Sequence, residues 1–342
     1  MNEQEKYDWM VYVSCMTYNH APYIVDAMNG FTMQETNFPF VCAVVDDAST
    51  DGEQEVIKSY LNEHFDLEDK NIVRQEETDD YILTFARHKT NKNCYFAVLY
   101  LKYNHWTAKK KKAPYFAQWR DNAKYIAFCE GDDYWINPNK LQMQVDYLEK
   151  HTDCDLVRTN FNRKIQKNNL IQYDFTNNLG GYKIKDTYED YLRYGWFNGP
   201  CTIMYRPKVT RYMKYFSENN YFCGTLIYTL TACRDSSVYY LDEITTCYRV
   251  LEKSACHFSD FKDTLLLFNR VKESRIVFAN ELDLLKRIIF YLFLSYQSLR
   301  MVYLPKYSKY WFQTIVGICG DFNKLFLFKR HRYRLPNYDK NS

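Results

Sequence analysis

Three apolar runs end in polar residues, and this pattern narrows the fold more than anything else in the chain. Val11-Tyr12-Val13-Ser14-Cys15-Met16 leads into Thr17-Tyr18-Asn19-His20. Phe40-Val41-Cys42-Ala43-Val44-Val45 leads into Asp46-Asp47-Ala48-Ser49-Thr50-Asp51-Gly52. Tyr125-Ile126-Ala127-Phe128-Cys129 leads into Glu130-Gly131-Asp132-Asp133-Tyr134-Trp135. Short continuous apolar runs read as buried strands. Tyr23 to Gln34, between the first two runs, reads as a crossover helix. Strand, helix and strand with polar groups at the strand ends describe a doubly wound α/β sheet, which takes ligands at its carboxyl edge.

The third run carries the sharpest chemistry. Carboxylates at the end of a buried strand are costly unless positive charge meets them. Hard oxygen ligands, with close backbone approach at Gly131, suit a divalent cation that carries a diphosphate. A plainer reading stays open, in which the acidic loop caps the next helix through Asn137 and Pro138. The polar ends of the other two runs suit hydrogen bonding to a base and a ribose.

Taken in order, these three segments resemble the motif set of bacterial family 2 glycosyltransferases. The resemblance continues through Pro138 to Leu148, resumes at Tyr248-Arg249-Val250, and covers roughly residues 8 to 260. It implies a GT-A fold: a Rossmann-like, mixed, mainly parallel sheet flanked by helices. It also implies a nucleotide-diphosphate sugar donor and a hydroxyl acceptor on a surface glycan or lipid-linked oligosaccharide. The usual outcome in the family is inversion, and the expected place is the cytoplasm or the inner face of the cell membrane.

The resemblance assigns roles residue by residue. Thr17, Tyr18 and Asn19 would border the base, and Asp46 or Asp47 would contact the nucleotide. Asp132 and Asp133 would hold ribose and a metal, manganese or magnesium, between them. Arg249 and His257, on a loop after the last strand, would add positive charge at the diphosphate. Thr202, Arg206 and Trp135 would lie on the acceptor side. Inverting members carry a Gly-Asp pair whose Asp is the general base. Here the matching pair is Gly224-Thr225, and threonine is no general base. Asp235, Asp242 and Glu243 remain as candidates, along with the alternative of a nucleotide-sugar-binding protein with little transferase activity. A nucleotidyltransferase is disfavoured, because no Gly-rich phosphate loop with a basic residue stands near the amino terminus.

Composition sets outer bounds. A chain of 342 residues suits one large domain or a domain with an appendage. A net charge of +3 gives no basis for nucleic-acid binding. Eleven cysteines without paired CxxC motifs argue against zinc. With no apolar signal region before Val11, they read as buried free thiols in a reducing cytosol. No apolar run is long enough to span a bilayer; Ile288 to Leu294 is too short.

The remaining pattern predicts further elements. Glu53 to Glu63 reads as a helix with Asp51 as its N-cap, and Asn71 to Arg74 as a short strand. Residues 75 to 124 read as the least regular part, with Lys109 to Lys112 as a solvated loop or a contact for an anionic acceptor or membrane. Pro138 to Lys150 predicts a helix, Asp155 to Phe161 and Ile165 to Tyr173 a strand pair, and Thr187 to Tyr194 a helix. Gly199 to Pro207 predicts a short strand. A catalytic domain over 1–262 and a helical, basic-aromatic extension over 263–342 are expected. The extension would touch a membrane surface through Lys324, Lys329, Arg330, Arg332, Arg334 and their aromatic neighbours, or else pack on the domain or on a second subunit.

Overall fold

The computed structural model describes residues 7–178, 185–195, 198–219, 224–252 and 261–303, with 314–315, 317–321 and 335 beyond them. They fall into two compact units. The first comprises Met1–Lys183, Asn198–Pro207 and Val238–Glu252; the second comprises Ile184–Phe197, Lys208–Ser237 and Lys253–Ser342.

The first unit is built on one sheet. Strand β1 (Trp9–Thr17) leads through helix α1 (Ile24–Thr32) to β2 (Phe40–Asp46), which is buried along its whole length. Helix α2 (Glu53–His64) follows, then β3 (Phe65–Asp66), β4 (Arg74–Glu77), β5 (Tyr81–His88) and β6 (Cys94–Leu101). The short helix α3 (Ala117–Arg120) precedes β7 (Ala123–Phe128) and β8 (Tyr134–Trp135). Helix α4 (Lys140–Lys150), the antiparallel pair β9 (Leu156–Ile165) and β10 (Leu170–Gln172), β11 (Ile203–Tyr205) and β12 (Val238–Val250) complete it. The strand order is β3-β5-β6-β2-β1-β7-β11-β9-β12-β8, with β10 on β9 and β4 on β5. Strands β6, β2, β1 and β7 are parallel, so their carboxyl ends share one edge.

Two differences from the sequence reading matter. Residues 75 to 124 hold three strands, and Cys94–Leu101 is a central one, buried but for Tyr95. Its apolar run was a strand signal of the same kind as β2. The chain around Arg249 is not a loop: β12 runs on to Val250, paired with β9 from Thr246 to the end after two register shifts between Leu241 and Thr246.

Core packing explains why α1 lies close to the sheet. Phe31 meets Phe96 at 6.1 Å and Trp135 at 5.0 Å between ring centres. A Cβ on Gly30 would lie 2.8 Å from the Trp135 backbone nitrogen, so only glycine lets the helix approach. Each large apolar side chain buried in this way contributes about 1.5–3 kcal/mol.

The second unit is helical: α5 (Tyr188–Tyr194), α6 (Met213–Glu218), α7 (Gly224–Asp235), α8 (Phe261–Ala279) and α9 (Leu284–Tyr303). Thr187 caps α5 by accepting the Asp190 N–H at 3.2 Å. The buried Arg275 guanidinium donates to the Leu192 and Arg193 carbonyls, closing the other end of α5. The boundary expected at 262/263 falls just inside α8. Helix α9 is apolar on both faces near its centre: Phe290, Tyr291 and Leu294 are buried, while Ile289, Leu292 and Tyr296 are exposed. Among the described residues no helix is long and apolar enough to cross a membrane. His257 and most of the basic-aromatic stretch lie outside the described residues.

Candidate functional site

The three polar segments meet at the shared carboxyl edge. Thr17 pairs in register with Asp46, and Asp46 with Tyr100. Beyond the end of β7 the chain still follows β1, through Cys129 N–H to Ser14 O and Gly131 N–H to Met16 O, both 3.1 Å. This brings the acidic turn against Thr17. A Cβ on Gly131 would sit 2.1 Å from Thr17 Oγ1. The close approach expected at Gly131 is therefore made by the protein's own Thr17.

Neighbouring acids in this site have different surroundings. Asp46 is buried; Oδ1 accepts from Ser49 N–H at 3.1 Å and Gln54 Nε2 at 2.6 Å, while Oδ2 has no partner. Asp47 is fully engaged by the chain after β6. It accepts from His105 N–H at 2.8 Å, Trp106 N–H at 3.2 Å and Lys112 Nζ at 2.9 Å. Lys112 thus leaves the solvated run predicted for it, and Lys110 likewise pairs with Asp80 at 2.5 Å. The Asp80 carboxyl is held down near about 2 by Lys110 and by the Tyr103 and Tyr115 hydroxyls.

The acidic turn divides in the same way. Asp133 is buried and accepts the Arg249 N–H at 2.7 Å. Burial, with the like charge of Asp132 next, pushes its carboxyl well above the usual range. Its Oδ1 is turned to the backbone of β12. Asp132 is partly open, with His20 Nε2 4.0 Å from its Oδ2. Glu130 is exposed at the start of the turn. Desolvation, with Asp132 beside it, pushes Glu130 up to about 7, and Lys112 pulls it back. Behind the turn, Lys140 is wholly buried, with Nζ 2.5 Å from Gln144 Oε1 and 4.7 Å from the Trp135 ring centre. Burial draws its ammonium down to about 7.

Other predicted residues are elsewhere or otherwise engaged. Arg249 is a buried clamp. Its guanidinium bonds Asp26 and the Asp132 carbonyl and lies 4.4 Å from the Tyr134 ring centre. Trp135 is core, its Nε1 donating to Cys201 O at 3.1 Å. Thr202 is buried and bonds Gly199 O at 2.8 Å. Arg206 follows β11, which runs antiparallel to β7, so it lies toward the far edge of the sheet. There it donates to the Leu148 and Cys154 carbonyls at 2.6 and 3.1 Å. None of these three reaches the open part of the site.

The base candidates also separate. Asp235, on α7, is paired with Arg211 and Arg234 at 3.2 and 3.3 Å. Asp242 accepts from Asn177 Nδ2 and Tyr240 OH, both at 2.8 Å, and these bonds hold its carboxyl below the usual range. Glu243 is exposed, at an irregularity in the β12–β9 register. Thr225 stands at the start of α7.

The sequence reading missed Glu53. It placed this residue at the start of a helix and gave its side chain no role. The side chain is fully buried and accepts from Thr17 Oγ1, His20 N–H at 2.9 Å and Ser49 Oγ at 2.8 Å. Burial raises its carboxyl above the usual range, and these three donors oppose the rise. Its partners lie 33 and 36 residues upstream and four residues upstream, so spacing gave no signal beyond an acid at a helix start.

Comparison with solved structures fixes the fold. Staphylococcus aureus TarS residues 1–349, crystallised with UDP-GlcNAc, matches with a TM-score of 0.53 and 16% identity, over 92% of this chain and 81% of that one. The longer S. aureus TarS structure gives 0.51 and 15%, over 94% and 50%. The chain has a glycosyltransferase fold of the GT-A type. At such identities the likeness speaks for the fold alone. No protein-family model matches. Uncharacterized proteins of Mycobacterium tuberculosis and Mycobacterium bovis are 31% identical over 138 residues, which is 40% of this chain. The chain's match spans only 31% of the length of those relatives.

Proposed function

We propose that this chain transfers a sugar from a nucleotide-diphosphate donor to a hydroxyl acceptor. One observation carries the reading. The polar ends of β1, β2 and β7 converge on one edge of a GT-A sheet, where Glu130 and Asp132 stay open. Tyr18, exposed beside Asn19, and Asp46 border the nucleotide side.

The donor set fits a divalent metal. Among the described residues no cluster of three or more His, Cys, Asp or Glu is arranged to hold one. Two carboxylates completed by substrate phosphates are nonetheless what magnesium or manganese takes at such sites. Asp132 and Glu130 would hold it, in place of the Asp132 and Asp133 pair expected from the motif. When bound, the metal offsets charge on the leaving diphosphate. Asn19 and Asp46 hold the base and ribose, and Lys112 keeps positive charge near Glu130. The acceptor oxygen bonds to the anomeric carbon as the carbon–oxygen bond to diphosphate breaks, with inversion, and the acceptor proton passes to a carboxylate. Asp242 and Glu243 are both exposed, and Asp242 is already bonded to Asn177 and Tyr240, which leaves Glu243 as the candidate. A surface glycan or lipid-linked oligosaccharide is the acceptor class.

Calorimetry with uridine and guanosine diphosphates, each with and without manganese, tests donor binding. A turnover assay over their sugar conjugates tests transfer. Metal-dependent binding with release of nucleotide diphosphate is expected. Binding without release would favour the second reading, a nucleotide-sugar-binding protein, supported by Thr225, where the resemblance expects the base. No binding in any condition would overturn both.

A further inference from the structure

We infer that Glu53 is the positioning residue of the donor pocket, a role that rests on the function proposed above. Glu53 belongs to none of the three polar segments, yet each one is referenced to its carboxylate. Thr17 Oγ1 donates to Oε1, while His20 N–H and Ser49 Oγ donate to Oε2. The first two fasten the loop after β1. The third fastens the loop after β2.

The contacts extend outward from there. Ser49 Oγ accepts the Asn19 N–H at 2.9 Å, and Asn19 Oδ1 accepts the Thr50 N–H at 2.8 Å. Asn19 and Ala48 both have left-handed backbones, at φ 56° and 59°. Alanine rarely adopts that conformation unless its surroundings enforce it. The third segment is reached through Thr17 and His20. Thr17 is the surface against which Gly131 packs, and the His20 ring lies 3.2 Å from Thr17 Oγ1 and 4.0 Å from Asp132. Glu53 itself is fully buried. Its carboxylate is spent on Thr17, His20 and Ser49, so its effect passes through them.

Donor counting predicts which substitution is tolerated. The carboxylate supplies only acceptors to three donors. A glutamine keeps one oxygen for His20 N–H and Ser49 O–H. Its amide can donate to Thr17 Oγ1, whose own proton then turns to His20 Nδ1. Alanine removes the shared acceptor: Thr17 Oγ1 is left with His20 Nδ1 alone, and the half-buried His20 N–H and Ser49 hydroxyl lose their carboxylate partner. Geometry, rather than charge, is therefore what Glu53 supplies.

The test uses the full chain with uridine and guanosine diphosphates and manganese. Glu53→Ala should weaken nucleotide binding by about tenfold or more, and Glu53→Gln should restore it to within about threefold of the parent. Nucleotide affinity is not moved by a loss of stability alone while the chain stays folded. Glu53→Ala binding like the parent, or Glu53→Gln losing as much as Glu53→Ala, overturns the inference. If Glu53→Ala does not fold, Thr17→Val and Ser49→Ala each remove one donor. Weakened binding in both supports the role, and parental binding in both rejects it. Amide exchange separates this inference from the donor reading. If the parent binds neither nucleotide, the donor reading fails. Faster exchange at His20, Asn19 and Thr50 in Glu53→Ala would still show the loops held by Glu53, and unchanged exchange there overturns the inference.

Discussion

The two acidic pairs at the sheet edge, Asp46–Asp47 and Asp132–Asp133, divide their labour alike but are held by different means. In each pair one member is left with an open or unpartnered oxygen, Oδ2 of Asp46 and the exposed side of Asp132. The other member accepts backbone N–H groups from a distant strand end or loop: His105 and Trp106 for Asp47, Arg249 for Asp133. Asp47 also has a cation, Lys112, at 2.9 Å. Asp133 has none bonded to it, because the Arg249 guanidinium goes to Asp26 and to a carbonyl. Burial without a bonded cation pushes Asp133 toward the neutral acid, whereas Asp47 is ion-paired to Lys112. The first pair therefore fastens a loop by charge. The second fastens a strand by a hydrogen bond that Asp133 can make in either protonation state.

The largest expected effect lies within the second pair. Asp132→Asn should lower turnover roughly 100-fold, in line with the charge stabilisation that a metal-holding carboxylate supports. Asp133→Asn keeps an oxygen for the Arg249 N–H and should leave turnover within about threefold. Steady-state rates with the productive donor decide between them. The reverse ranking would break the comparison and return the metal to Asp133.

A smaller effect sharpens the contrast between pairs. Lys112→Met leaves Asp47 on two backbone N–H groups with no cation. Removing one partner of a buried pair costs 3–5 kcal/mol at most, and the N–H groups and the partly open Lys112 reduce this to about 1–3 kcal/mol. Urea midpoints would show the loss. An unchanged midpoint would mean that the backbone donors alone hold Asp47 in place.

The sequence made the sheet legible where apolar runs were long and ended in short polar residues, as at β1, β2 and β7. Strand β6 carried an equal signal in Cys94 to Leu101, and the charged stretch after it obscured it. Helices α2, α4 and α5 followed from periodicity to within a few residues. The work done by each carboxylate was not legible. Asp133 meets Arg249 across 116 positions, and Asp47 meets His105 across 58. Adjacent aspartates look identical in sequence, and only the topology that returns β12 and the chain after β6 to this edge tells them apart. The same holds for Arg249, Trp135, Thr202 and Arg206. Their side chains are polar or amphipathic enough to suit a ligand, yet each meets a backbone carbonyl of the protein itself.

The smallest expected effect is on the pH dependence of stability, and it isolates Asp133. Its carboxyl is raised in the folded state, so the native chain binds that proton more tightly than the unfolded chain does. The resulting stability is fully present below the unfolded value near 4, and is lost as pH rises toward the folded value. The slope from one such group is at most about 1.4 kcal/mol per pH unit. Lys140 acts with the opposite sign. Its folded value is lowered to about 7, so its contribution grows with pH between about 7 and the unfolded value near 10.4. The two windows separate cleanly below pH 7. Asp133→Asn has no proton to lose, so its stability relative to the parent should rise from pH 5 to pH 7. Glu130, raised to about 7, stays in both chains and enters the difference only through its charge on Asp133. Urea midpoints for parent and variant at pH 5, 6 and 7 measure it. Parallel curves would mean that Asp133 is already charged in the folded chain, and that its bond to Arg249 N–H, rather than a retained proton, sustains it.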